Sequence, residues 1–211
     1  MSAPVRRSPL ALAVLALLRN GPMHPYQMQV LIREWAKDQV VNVQQRTSLY
    51  RTIERLHSGG LVSVHATERD QQRPERTVYA ITPAGAAQVL TWLSDMLATP
   101  AREFPEFPAA VSFLVLLPPE GVQEALERRR AALAADLARY AADQAEADGM
   151  GVPRVFLLEV ELVRAVIAAE LDWVDSVLAD LRSGALHWSE EWLQEMGRQF
   201  DERLGDDVLS P

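Results

Sequence analysis

The sequence predicts a mainly α fold: a small two-stranded antiparallel β unit lies in its first half, and the second half is all-α. Three observations carry this reading. Apolar residues recur at helical spacing along most of the chain. One pair of β-prone runs, Leu61–Thr67 and Thr77–Thr82, interrupts the helices. The charge also divides along the chain. Residues 1–95 hold 11 Lys/Arg against 7 Asp/Glu, a surplus of +4, whereas residues 96–211 hold 10 against 22, or −12. A basic half suits a polyanionic partner, and an acidic half is repelled by one.

Of the 211 residues 48% are apolar, enough for a core, and the net charge is −8. There is no cysteine. That excludes disulfides, thiolate metal clusters and thiol nucleophiles, and it suits a reducing, cytoplasmic setting. The apolar run Leu10–Leu18 falls short of the roughly 20 residues of a membrane span. Arg6 and Arg7 precede it, but Arg19-Asn20-Gly21-Pro22 follows without a small-residue cleavage site, so a core helix is expected and no membrane partner.

Ser8-Pro9 is a cap residue followed by proline at the first helical position, and it opens helix one. Asn20-Gly21-Pro22 closes it. His24-Pro25 opens helix two, with Met28, Leu31 and Trp35 as its apolar stripe. A connector around 38–42 leads to helix three, whose buried side is Leu49, Ile53 and Leu56 and whose stop is Gly59-Gly60. The two β-prone runs then form a hairpin around a long charged loop, Glu68–Arg76. Thr82-Pro83 opens helix four, with Ala86, Val89, Leu90, Leu93 and Met96 on its apolar face. Prolines 100, 105 and 108 mark a linker over 99–108. A short helix Phe107–Leu117 follows, then two long ones, Pro119–Ala147 and Pro153–Leu181, and a final segment near Ser189–Arg203. The expected domains are 1–98, 109–182 and a C-terminal helix or tail over 183–211.

Three helices followed by a two-stranded wing is the order of a winged helix-turn-helix. A helix entering a DNA major groove needs one apolar side for its own domain and donors on the other. Arg46, Thr47, Ser48, Arg51, Thr52 and Arg55 supply that other side and the first turn of helix three. Gln44 and Gln45, just ahead of it, suit an adenine edge or the backbone. Arg69, Arg73 and Arg76 of the wing suit phosphates or the flanking minor groove.

Leu49-Tyr50-Arg51-Thr52-Ile53-Glu54-Arg55-Leu56 followed by Gly60-Leu61-Val62 resembles the recognition helix of the PadR-type transcriptional regulators. Val78-Tyr79-Ala80-Ile81-Thr82-Pro83-Ala84-Gly85 is similar to their wing strand and fourth-helix start. Ser8-Pro9-Leu10 and Pro25-Tyr26-Gln27-Met28 resemble the starts of their first two helices, with His24-Pro25 departing from the usual glycine. The likeness covers about residues 8–95, and more weakly 105–182, where longer members carry a helical C-terminal domain. It implies that Thr47, Ser48, Tyr50 and Arg51 face DNA; Tyr26 is a further candidate contact, and the departure at His24-Pro25 leaves its contact to backbone phosphate open. Tyr50 and Tyr79 equally suit packing between helix and wing.

Pro153–Leu181 carries two apolar stripes. Phe156, Val160, Val163, Ile167, Leu171, Val174, Leu178 and Leu181 form one, and Val155, Leu158, Leu162, Val166, Ala169, Trp173 and Val177 the other. The alanine-rich helix before it cannot cover both, so a second copy is expected on the remainder, with Phe156, Val160, Val163, Ile167, Leu171, Trp173, Val174 and Leu178 as the dimerisation set. Two winged domains related by a two-fold axis read an inverted repeat. The family resemblance further implies a homodimeric repressor on a palindromic operator, released by a small aromatic or hydrophobic effector. Trp35, Trp92, Phe156 and Trp173 either line an apolar pocket for it or belong to the core. The four histidines have no metal-ligand spacing, so neither metal nor cofactor is expected. There is no cysteine, no Gly-rich phosphate loop and no histidine clustered with carboxylates, so nothing supports an enzyme. The alternative to a DNA reader is a winged-helix protein-interaction module.

Overall fold

The first half is built on caps that the sequence signals, and the structure, a computed structural model of the chain, shows each in place. It describes residues 5–35, 37, 40–43, 46–70 and 73–208, without the side chains of 46, 68–70, 73–76 and 200–208. The chain divides into two compact units, Met1–Glu103 and Phe104–Pro211.

In the first unit α1 (Pro9–Leu18) is capped by Ser8, whose hydroxyl accepts from the Ala11 amide. Ala11, Val14, Leu15, Leu17 and Leu18 are all buried, so α1 is the central helix of this unit's core. α2 (Pro25–Glu34) is capped by His24, whose Nδ1 accepts from the Gln27 amide at 3.2 Å. A histidine therefore does the work of a cap ahead of proline. The buried side of α2 is Met28 and Ile32, with Leu31 of the expected stripe partly buried against the same core and Trp35 exposed. The helix ends at Glu34, and Trp35 falls on the cap, where helical spacing no longer applies. α3 spans Arg46–Ser58.

The hairpin β1 (Val62–Asp70) and β2 (Arg73–Ile81) is longer than expected. Its antiparallel register runs from Val62↔Ile81 to Asp70↔Arg73, so residues 68–70 and 73–76 of the charged stretch, expected as loop, are strand. Strand pairing is made by backbone groups, so polar residues do not stop it. Pro74 is tolerated because both strands are edges. Met23 adds one bridge to Tyr79, with both backbone bonds at 3.0 Å, which fixes the α1–α2 connector to the wing root.

α4 (Pro83–Ala98) buries Gly85, Val89 and Trp92. Leu90 and Leu93, expected inside, are exposed. The apolar surface of α4 is wider than its contact, and Gly85 decides which part faces inward, because only a residue without Cβ fits against the Leu61 carbonyl.

The second unit contains α5 (Glu106–Ser112), a 3₁₀ turn Leu114–Leu116, α6 (Pro119–Gly149), a 3₁₀ turn Arg154–Phe156, α7 (Leu158–Ser183) and α8 (Glu190–Val208). α6 and α7 pack along their lengths. Val122 and Leu126 of α6 meet Val174 and Leu178 of α7 in the core, which Trp188 closes. The Trp188 indole N–H donates to the Leu117 carbonyl at 3.0 Å. Arg129–Glu170, Arg130–Asp175 and Arg182–Glu127 pairs flank the seam. Such exposed pairs fix register more than they stabilise.

The two stripes of α7 have different fates. Val174 and Leu178, expected at an interface between copies, are sealed in the unit's own core. Val160, Val163, Ile167 and Leu171 are half-buried on the same side. Helical geometry places the second stripe well over 90° around the helix, and there Leu158, Leu162, Val166 and Trp173 stay exposed. Phe156, in the turn ahead of α7, is exposed as well. Among the described residues no helix is long and apolar enough to cross a membrane.

Candidate nucleic-acid interface

The position of α3 is fixed from three directions. Leu49, Ile53 and Leu56 are at most 1% exposed and seat it on the core. At its start, buried Gln29 of α2 donates through Nε2 to the Val43 carbonyl at 3.1 Å, holding the connector that delivers the first turn. At its end the Gly60 amide bonds to the His57 carbonyl and the Leu61 amide to the Leu56 carbonyl, with Gly60 at φ 72°. This is a Schellman stop, which needs a left-handed residue at that position, and it turns Leu61 into the core beside Leu56.

Thr82 locks this stop to α4. Its hydroxyl donates to the Gly60 carbonyl at 2.7 Å and accepts from the Gly85 amide at 3.0 Å, and its amide donates to the Leu61 carbonyl at 3.1 Å. The end of α3, the foot of the wing and the start of α4 thus share one cluster of bonds. Gln29 and the double role of Thr82 leave no signature in residue spacing, because each acts on a backbone group distant in sequence.

Opposite the buried side, Thr47, Arg51, Glu54 and Ser58 fall within about 60° of one another around the helix and form the centre line of the free face. All four are exposed. Tyr50 and Arg55, also exposed, flank that line, and Ser48 is half-buried at its edge. Thr52, expected outside, is only 6% exposed, because it lies beside Leu49 and Leu56 around the helix. The Arg51 and Arg55 side chains make no ion pair or hydrogen bond with other described residues, so their donors remain available. Gln44 and Gln45 lie outside the described residues, and so does the side chain of Arg46.

Tyr26 is 54% exposed at the start of α2, and its ring stacks on His24. Tyr79 packs edge-on to His57 at 6.4 Å, which joins α3 to the wing. Burial raises the Tyr79 phenol's pKa, with the Glu54 carboxylate and Tyr50 adding to it. Arg69, Arg73 and Arg76 lie on the strands, not in a loop. Register sets Arg76 opposite Glu68 and Arg73 opposite Asp70. With Glu75, three carboxylates match three arginines, so the wing is neutral overall. Helix α3 keeps a surplus, with three arginines against one glutamate.

The four aromatics expected around a pocket divide between the units, Trp35 and Trp92 in the first and Phe156 and Trp173 in the second. Trp92 is in the first unit's core, and Trp35 is exposed at the end of α2. In the second unit the stretch from Leu158 to Trp173 is roughly 22 Å of helix, which separates Phe156 from Trp173. Trp173 instead meets Phe107 edge-on at 5.7 Å. The two border an open cavity of about 910 Å³, with Arg129 over the Phe107 ring and paired to Glu170. Among the described residues no group of His, Asp and Glu is placed to hold a metal ion.

Residues 14–90 match the transcriptional regulator PadR-like family. Comparison with curated proteins yields no match. Bacillus subtilis PadR in complex with operator DNA aligns with TM-score 0.66 and 18% identity over 82% of this chain and 99% of its own. The Vibrio cholerae virulence activator AphA aligns at 0.61 and 20%, over 82% and 98%. Bacillus subtilis PadR in complex with p-coumaric acid aligns at 0.60 and 16%, over 84% and 99%. At these identities the likeness is one of fold.

Proposed function

We propose, from the premise that the chain belongs to the PadR-like family of transcriptional regulators through residues 14–90, that this DNA-binding regulator is a homodimeric repressor of a palindromic operator, released by a small aromatic or hydrophobic effector. The observation that carries the proposal is the two-sided α3. Its apolar side is buried, and Thr47, Arg51 and Arg55 stand free on the other. Arg46, Ser48, Tyr50, Gln44 and Gln45 complete the proposed contact set. Tyr26, Arg69, Arg73 and Arg76 are assigned to the flanking backbone, where the neutral wing adds less than α3. A pool of genomic fragments tests this. The protein is expected to retain specific fragments at low salt and lose them steeply as salt rises. Retention of none would contradict the proposal.

The dimer rests on the open stripe of α7, Leu158, Leu162, Val166 and Trp173, with Phe156 before it. A row of exposed apolar side chains about four turns long marks an interface. Two copies joined there carry two α3 helices, and occupying a promoter needs nothing more. Leu162→Glu places a carboxylate in that stripe. It leaves the protomer folded, because Leu162 is 66% exposed. It is expected to raise the dimer dissociation constant by at least roughly 100-fold, since an unpaired buried charge costs about 3–5 kcal/mol. Sedimentation velocity reads this directly, and an unchanged dimer would move the interface elsewhere. The Phe107–Trp173 cavity adjoins the same stripe through Val166, and it is the proposed effector seat. One structural relative holding p-coumaric acid supports that class of ligand.

A further inference from the structure

We infer that Glu54 is a specificity-determining residue that accepts a hydrogen bond from the exocyclic amino group of a cytosine in each half-site. The inference rests on the DNA-binding reading of α3 and adds a base to it. Glu54 lies on the centre line of the free face, about 20° around the helix from Thr47 and about 60° from Arg51. It is exposed, and it forms no ion pair or hydrogen bond with Arg51, Arg55 or any other described residue. Its charge is therefore not neutralised by them.

A free carboxylate at the middle of a face that meets a polyanion is repelled by every phosphate nearby. One kind of partner in the major groove reverses the sign: an exocyclic amino group, offered there only by cytosine N4 and adenine N6. Adenine N6 lies between two acceptors that repel a carboxylate, its own N7 and the paired thymine O4, whereas cytosine N4 has an acceptor on one side only, the paired guanine O6, and C5–H on the other. Cytosine is therefore the base that Glu54 tolerates. Any other base at that step leaves the carboxylate desolvated and unpaired. The same side chain thus attracts one base and rejects the rest. On the side towards the wing, Tyr50 and Tyr79 are its neighbours. Arg51 on the other side supplies the donors that a carboxylate lacks, so the two together read opposite patterns.

Selection from randomised duplexes tests this with the full-length protein, Glu54→Ala and Glu54→Gln. The wild type is expected to enrich a cytosine at one symmetric position in each half-site, with other bases there weakening binding by roughly tenfold. Glu54→Ala is expected to lose that preference alone and to keep all others. Glu54→Gln, which can both donate and accept, is expected to shift it towards adenine. Matching melting temperatures confirm that the variants are folded. Unchanged base preferences in Glu54→Ala, whatever its overall affinity, would overturn the inference while leaving the DNA-binding reading intact. A wild type that enriches no sequence would overturn that reading itself.

Discussion

Replacing Arg51 with alanine is expected to weaken binding to the selected operator by a factor of roughly 30 to 10⁴. One well-placed arginine–guanine pair discriminates by about 1–3 kcal/mol, and a dimer presents two. Arg51 is exposed at the centre of the free face and has no competing partner within the described residues, so its loss costs contacts to DNA and not to the fold. Binding to non-specific DNA is expected to fall far less, because only a phosphate-strength contact is lost there. Arg51→Lys separates the two effects. It keeps the charge but loses the fork that grips a base edge, so affinity partly returns and base preference does not. Titration of labelled operator and of scrambled duplex at one salt concentration gives both numbers. Operator affinity equal to the wild type would remove Arg51 from the reading set.

Gly85→Ala is expected to destabilise the first unit by about 2–4 kcal/mol. Helix propensity alone favours alanine by up to about 1 kcal/mol. Here a Cβ would collide with the Leu61 carbonyl oxygen and stand 2.9 Å from the Ile81 side chain. The carbonyl is backbone and already accepts from the Thr82 amide, so it cannot retreat without breaking the cluster that ends α3. Sterics therefore outweigh propensity. Gly60 makes a useful contrast, because a Cβ there would meet nothing within 4 Å and only its positive φ resists substitution. At about 4–8 °C per kcal/mol for a unit of this size, Gly85→Ala should melt at least about 8 °C lower. An unshifted melting curve would show that α4 does not lean on Leu61 as described.

What is legible in the sequence is set by local chemistry. Ser8-Pro9, His24-Pro25 and Thr82-Pro83 mark three helix starts, and a cap hydrogen bond confirms each. Leu49, Ile53 and Leu56 repeat at helical spacing, and all three are buried. Where two solutions share a period, spacing cannot choose between them. On α4 the choice falls to Gly85, and on α7 to whichever stripe α6 covers. The length of the wing is hidden for a different reason: backbone pairing between two strands continues through polar residues that show no apolar alternation. Glu54 is legible in a simple projection around the helix, where a carboxylate stands among the arginines, but periodicity alone does not separate it from an ordinary solvated residue.

Hydroxyl-radical and guanine-methylation footprinting of the wild-type protein on its selected operator tests the central claim most directly. Two equivalent major-groove protections related by a dyad are expected, with centres about one helical turn or a small multiple of it apart. Leu162→Glu is expected to weaken both together. A single asymmetric protection, or protection confined to the minor groove, would contradict a dimer that reads DNA through α3.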